Sequence, residues 1–235
     1  MQVLAESFST ALALVFSADP DLLEIVGLSL RVSLTAVVLA CLLGLPVGAL
    51  IAACRFRGRN LVIVLMNALM GLPPVVVGLL VYLHLSNSGP LGWMQLLYTP
   101  SAMVIAQTIL ITPLVAALSR QVLQELHSEY DEQFRSMSIP LVRQLQALSW
   151  DGRYGLLTVG LAGFGRSISE VGAVIIVGGN IAHLTRVMTT AIALETSKGD
   201  LALAMALGII LLSLSLLING LAMGLRSMTQ RVAYA

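Results

Sequence analysis

Charge is scarce in this sequence. Only 11% of its 235 residues are Asp, Glu, Lys or Arg, where a soluble domain carries about 25%. Lysine is nearly missing: Lys198, in TSKGD, is the only one. No glycine-rich loop precedes it, which excludes a phosphate-cradling ATPase loop on this chain. Aromatic residues are 5% of the chain, and no basic cluster is interleaved with them, so nucleic-acid binding has no footing. The two cysteines, Cys41 and Cys54, lie in or beside an apolar run, without CxxC spacing or a nearby His pair. They read as thiols packed among helices, not as a metal or redox site. HExxH, GxSxG and clustered His or Cys are all missing, so no catalytic residue and no metal ligand is assigned. The start of the chain has no basic residue before its first apolar stretch, and Glu6 interrupts that stretch, which argues against a signal peptide.

What the chain has in abundance is apolar surface. Apolar residues make up 57% of it and the mean hydropathy is +0.92. These residues come in runs, and a run of roughly 18 or more crosses a bilayer as a helix. The fold expected is an all-α integral membrane protein in one transmembrane domain, 1–235. Five crossings are expected, at 28–53, 61–85, 101–118, 154–177 and 201–225. Residues 3–17 (VLAESFSTALALVFS) are apolar but short and contain Glu6. Within an N-terminal segment 1–24 they are expected to form a helix lying on the membrane surface; the alternative is a strained sixth crossing.

The arginines orient the bundle. Arg55, Arg57 and Arg59 follow the first crossing, and Arg120, Arg135, Arg143 and Arg153 follow the third. Arg226 and Arg231 follow the fifth, while the connection 86–100 has neither Lys nor Arg. Basic connections stay in the cytoplasm. Segments 54–60, 119–153 and the tail are therefore cytoplasmic, and Arg31, Arg186 and Lys198 fall on the outer side among several carboxylates.

Two connections are longer than a hairpin needs. In the cytoplasmic one, 119–153, Leu141, Leu145 and Leu148 recur at helical spacing with Val142 beside them, so an amphipathic helix is expected after Pro140. The stretch 122–137 is a second helical candidate. The apolar stripe either docks on a partner or packs back onto its own subunit. The outer connection, 178–200, has an apolar centre only about half as long as a crossing needs. It suits a helix that dips into the membrane mouth and returns.

The fourth crossing carries Arg166 and Glu170 near its middle. Either alone costs roughly 2.5–3.5 kcal/mol at a helix centre. Four residues apart, they are neighbours on one helical face. They either lock helices together as an ion pair or line a water-filled path and shape its field for a passing anion. Gly165, Ser169 and Ala173, small residues at four-residue spacing, let another helix approach. Pro73 and Pro74, in GLPPVVVG, must bend or break the second crossing, and with the turn Gly178, Gly179 and Asn180 they complete the pathway candidates. Asn67, His84, Gln107 and Asn219 read as helix-to-helix hydrogen bonders, and His183 as a surface histidine.

Three stretches carry a family resemblance: GLPPVVVGLLVYLHLSNSGPLG (71–92), TPSAMVIAQTILITPLVAAL (99–118) and GRSISEVGAVIIVGGNIAHLTRVMTTAIALETSKGD (165–200). The chain resembles the permease subunit of bacterial type I ABC importers, in the molybdate/tungstate/sulfate group, and is most similar to the tungstate permeases. Such permeases carry a cytoplasmic coupling motif, EAA, three residues, then Gly. The matching stretch here runs from Glu132 to Ser138, with Gln133 and Phe134 in place of the two alanines and Ser138 in place of the glycine. The resemblance implies an ATPase-coupling loop containing Glu132, Phe134, Arg135, Met137, Ser138, Ile139, Leu141, Leu145 and Leu148. It also implies a homodimer in the cell inner membrane of a bacterium or archaeon, two ATPase subunits carrying ATP and Mg²⁺, and an external tungstate-binding protein. Molybdate, sulfate or another oxyanion is the alternative substrate. A stand-alone channel or secondary transporter would predict two similar halves, and no internal repeat is visible.

Overall fold

The computed structural model describes Ala13 and residues 19–233. The expectation for 3–17 therefore falls, Ala13 apart, outside the described residues. Among the described residues there are α-helices and one short 3-10 turn at Gly92–Met94, and no strand. The helices are α1 (Pro20–Ala53), α2 (Arg59–Met70), α3 (Pro74–Leu85), α4 (Pro100–Ser136), α5 (Leu141–Asp151), α6 (Arg153–Ile168), α7 (Gly172–Gly178), α8 (Met188–Lys198) and α9 (Leu201–Ala233).

Among the described residues three helices are long and apolar enough to cross a membrane: α1, α4 and the Leu201–Gly220 part of α9. Two broken pairs, α2 with α3 and α6 with α7, raise the number to five. This agrees with five expected crossings, but two of them are interrupted. The α2–α3 break is the one that the prolines demand. Gly71 N–H donates to the Ala68 carbonyl at 3.1 Å and Leu72 N–H to the Leu69 carbonyl at 3.2 Å, closing α2; Pro73 is extended at φ −62° and ψ 125°, and Pro74 opens α3, where a missing N–H costs nothing.

The α6–α7 break has no proline and was expected to be continuous helix. Polar groups sustain it. The Glu170 carboxylate accepts the Ala173 N–H at 3.2 Å and so caps α7. The Glu170 carbonyl, freed by the break, accepts the Thr189 hydroxyl at 2.8 Å. Non-helical backbone at membrane depth survives only when such partners are supplied.

The chain divides into two compact units. Among the described residues the first comprises 19–35, 73–107 and 167–221. Here α3 and α7 touch backbone to backbone: a Cβ on Gly78 would lie 2.8 Å from Ala173 Cα. Met103, Val174, Val177, Met188 and Leu207 fill this core. The turn after α7 is tightly tied. Gly179 (φ 72°) and Asn180 (φ 50°) are left-handed, Thr185 Oγ1 donates to the Gly178 carbonyl at 2.6 Å, and Tyr98 N–H donates to Val177 at 3.0 Å. α8 has 11 residues, about half a span. Ser29 Oγ on α1 accepts the first N–H of α8, from Met188, at 2.8 Å.

The second unit comprises 36–72, 108–166 and 222–235. Gly44 and Gly48, one turn apart on α1, let that helix lie directly on α4: Cβ atoms there would run into Val115 and Thr112, and into Ser119 and Ala116. This is small-residue packing of the kind that joins helices in lipid. Many large apolar side chains stay exposed, among them Leu42, Leu61, Val64, Leu212 and Leu216, as expected where acyl chains are the solvent.

Candidate coupling face and pathway residues

The segment 119–153, expected to be cytoplasmic, is built around one turn. α4 does not stop where the third crossing was expected to end, near residue 118, but continues unbroken to Ser136, absorbing the stretch 122–137. It ends in a two-bond cap: Ile139 N–H donates to the Phe134 carbonyl at 3.0 Å, and Ser138 N–H to Arg135 at 3.1 Å. Ser138, between them, has φ 49°. This cap requires a left-handed residue at that one position, most often glycine, and Ser138 stands where the coupling motif of the resembling family has its glycine. Ile139 packs beside Phe134 in the cluster Ala49, Ala52, Leu123, Phe134 and Leu148, the apolar contact that accompanies such caps. The chain then turns through Pro140 into α5, as the sequence predicts.

Burial sorts the coupling candidates into two groups. Phe134 and Leu148 are buried, Leu148 completely, and Ile139 and Leu145 pack against the same cluster. For Phe134 and Leu148 the docking expectation is corrected: at i, i+3 and i+4 spacing the stripe faces the chain's own α1 and α4, and its inner members seal that core. Glu132, Arg135, Met137, Ser138 and Leu141 are exposed. Val142 and Trp150, outside the expected set, are exposed at 66% and 70%. Arg153 stacks on the rings of Trp150 and Tyr154, 4.7 and 4.6 Å from their centroids, close enough for a cation–π attraction. Asp131 holds Arg135 through two bonds, at 2.7 and 3.0 Å, and Arg55 at 3.3 Å. The acidic and basic residues of the loop thus brace it from within. A mainly apolar groove of about 740 Å³ runs past Pro46, Leu50, Val142, Leu145 and Trp150.

The pathway candidates lie on several elements. Pro73 and Pro74 shape the α2–α3 break, and Arg166 sits in the last turn of α6. Gly178, Gly179 and Asn180 form the braced turn after α7. Glu170 lines a polar cluster, most of whose members sequence reasoning missed. Gln107 donates to the Ser167 carbonyl at 3.2 Å and accepts the Ser167 hydroxyl at 2.8 Å. Ser29, Ser33 and Thr189 line the same void, which measures about 10 Å³, room for a single water. Gln107 drew notice as a polar residue in a crossing, but nothing in the sequence pairs it with a serine 60 positions away.

His183 is at the surface, but with a partner: its Nδ1 lies 2.9 Å from Glu24 Oε2. The hydrogen bond to Glu24, then the charges of Glu24 and Asp21, raise the His183 pKa, against a smaller opposition from burial and Arg186.

Long apolar helices, two broken crossings and a braced elbow with an apolar face are compatible with a membrane transport subunit. No protein-family model matches the chain. It is 41% identical over 219 residues, 93% of its length and 96% of the relative's, to the tungstate uptake system permease protein TupB of Peptoclostridium acidaminophilum. It is 42% identical over 214 residues, 88% of its length and 92% of the relative's, to a probable anion ABC transporter permease protein of Haloferax volcanii. The Campylobacter jejuni tungstate permease is 31% identical over 91% of this chain and 90% of its own. The chain belongs to the ABC importer permeases, in the branch of the tungstate uptake permeases. It is a multi-pass protein of the cell membrane and a permease subunit of a transporter.

Proposed function

We propose that this chain is the permease of an importer that moves tungstate into the cytoplasm, driven by ATP hydrolysis on a separate subunit. Two copies form the pore, since five crossings make a thin wall and two-fold pairing is the common solution. Two ATPase subunits, holding ATP and Mg²⁺, seat against the cytoplasmic elbows, and an external binding protein delivers the oxyanion. Closure of the ATPases is converted by the elbows into opening of the pore.

The observation that carries this reading is the elbow at Ser138. It leaves Met137, Leu141, Val142 and Trp150 exposed, at the end of a helix, α4, that runs unbroken from Pro100 to Ser136. Large apolar side chains held on a braced, water-facing turn call for a protein cover, and the names of the relatives point to the same assembly. The carboxylate of Glu170 caps a helix, which favours its structural role over direct contact with an anion.

Co-expression with the ATPase subunit and binding protein, followed by uptake of tungstate, molybdate and sulfate, tests the proposal. Val142→Asp is the informative variant, because Val142 is exposed whereas Leu145 also serves the core. Inserted complex that has lost ATP-driven uptake is the expected result. Unchanged uptake and ATPase binding would remove the docking role of this face. Uptake of sulfate in preference to tungstate would replace the substrate.

A further inference from the structure

The strongest unassigned feature lies at the outer end of the first and third crossings. A groove of about 480 Å³ is lined by Arg31, Val32 and Thr35 of α1 and by Pro100, Ser101 and Val104 of α4. Its volume suits a small ligand. Pro100 and Ser101 open α4 directly after the connection 86–100, which the distribution of arginines puts outside. Arg31, lining the same groove, is therefore at the outer membrane boundary and not at bilayer depth.

The chemistry of the groove is one-signed. Among the described residues Arg31 has no carboxylate within salt-bridge distance, in contrast to Arg55, Arg135 and Lys198. No carboxylate lines the groove. The Ser101 hydroxyl is exposed and supplies a donor, and the Ser101 N–H, in the first turn of a 37-residue helix, has no helical acceptor. The Thr35 hydroxyl is committed to the Arg31 and Val32 carbonyls at 2.7 and 3.0 Å. That leaves one guanidinium and two donors on residues that line an otherwise mainly apolar groove.

We infer that the Arg31–Ser101 groove is a weak receiving site for a tetrahedral oxyanion at the outer mouth, with Arg31 selecting for negative charge. A bidentate guanidinium matches two oxygens of such an ion. One unpaired charge at a solvated boundary holds it loosely, as passage requires. The inference rests on the anion-import reading above. A lipid headgroup phosphate presents the same chemistry, so the test separates the two sources.

In full complex lacking Cys41 and Cys54 (both to Ser), Ser101→Cys is labelled with anionic and cationic methanethiosulfonate reagents of equal size. The expected result is a preference for the anionic reagent, about fivefold for one nearby charge at high dielectric, abolished by Arg31→Gln and kept by Arg31→Lys. Sodium tungstate slows labelling, and Arg31→Gln lowers maximal uptake. Thr35→Cys gives the same reading if Ser101→Cys fails to insert. Equal labelling by both reagents overturns the inference and leaves the import reading intact. Protection in vesicles containing phosphatidylglycerol, with none from tungstate in phosphatidylethanolamine vesicles, assigns the groove to lipid and overturns the oxyanion site. An anionic preference in a complex that imports no oxyanion would sink the import reading and leave the groove standing.

Discussion

Replacing Gly48 with alanine tests how closely α1 and α4 are fitted. A methyl group there would collide with the Ser119 hydroxyl and would stand 2.6 Å from the Ala116 carbonyl oxygen and 3.0 Å from the Arg120 nitrogen. The hydroxyl can rotate away; the carbonyl cannot. Real Cβ atoms essentially never come within 3.0 Å of a neighbour, so at least 0.4 Å must be found between two helix backbones. Overpacking of this kind costs about 1–3 kcal/mol. Alanine otherwise favours a helix over glycine by about 0.5–1 kcal/mol, so the net effect remains destabilising. Gly27, on the same helix with nothing within 4 Å of its would-be Cβ, is the control: Gly27→Ala should be neutral or stabilising. For a chain of this size each kcal/mol moves Tm by about 2–4 °C. Thermal unfolding of the purified protein in one detergent should therefore separate the two variants by several degrees with opposite signs. Adding Ser119→Ala to Gly48→Ala should recover only part of the loss, because the carbonyl remains. A Gly48→Ala protein that melts at or above the wild type, or a full recovery by Ser119→Ala, would refute the backbone-limited fit.

Three further outcomes are expected. Ser138→Gly should raise stability by about 1 kcal/mol, since a left-handed non-glycine residue costs about 1–2 kcal/mol and part of that gain is lost to chain entropy; a bulky Ser138→Val should lower it, and unfolding in detergent reads both. The His183–Glu24 link stabilises while His183 is protonated, because the partner raises its pKa. The link is complete below the ordinary histidine range, near about 6.5, and fades as pH rises through the elevated value, so Glu24→Gln should bring the His183 titration down when followed by NMR. Gln107→Leu should cost about 1–3 kcal/mol by stranding the buried Ser167 hydroxyl, and Gln107→Leu with Ser167→Ala should recover much of it; no recovery would mean that the pair is not the source.

The sequence alone determined the class and the number of crossings. Those follow from run length and the scarcity of charge, which act through the bilayer as solvent and need no tertiary contact. It also located the α2–α3 break, because Pro73 and Pro74 lack the donors that a helix uses, and the start of α5 after Pro140. The tertiary structure alone decided the rest. The break at Glu170 depends on Thr189 and on the Ala173 N–H, and the apolar stripe of α5 turned inward because Leu123 and Ala49 were there to receive Leu148. The helix-to-helix seam at Gly44 and Gly48 exists only because α4 offers Val115, Ala116 and Ser119 at that height. Solvent preference can be read from a side chain by itself; a hydrogen-bond partner or a packing partner distant along the chain cannot.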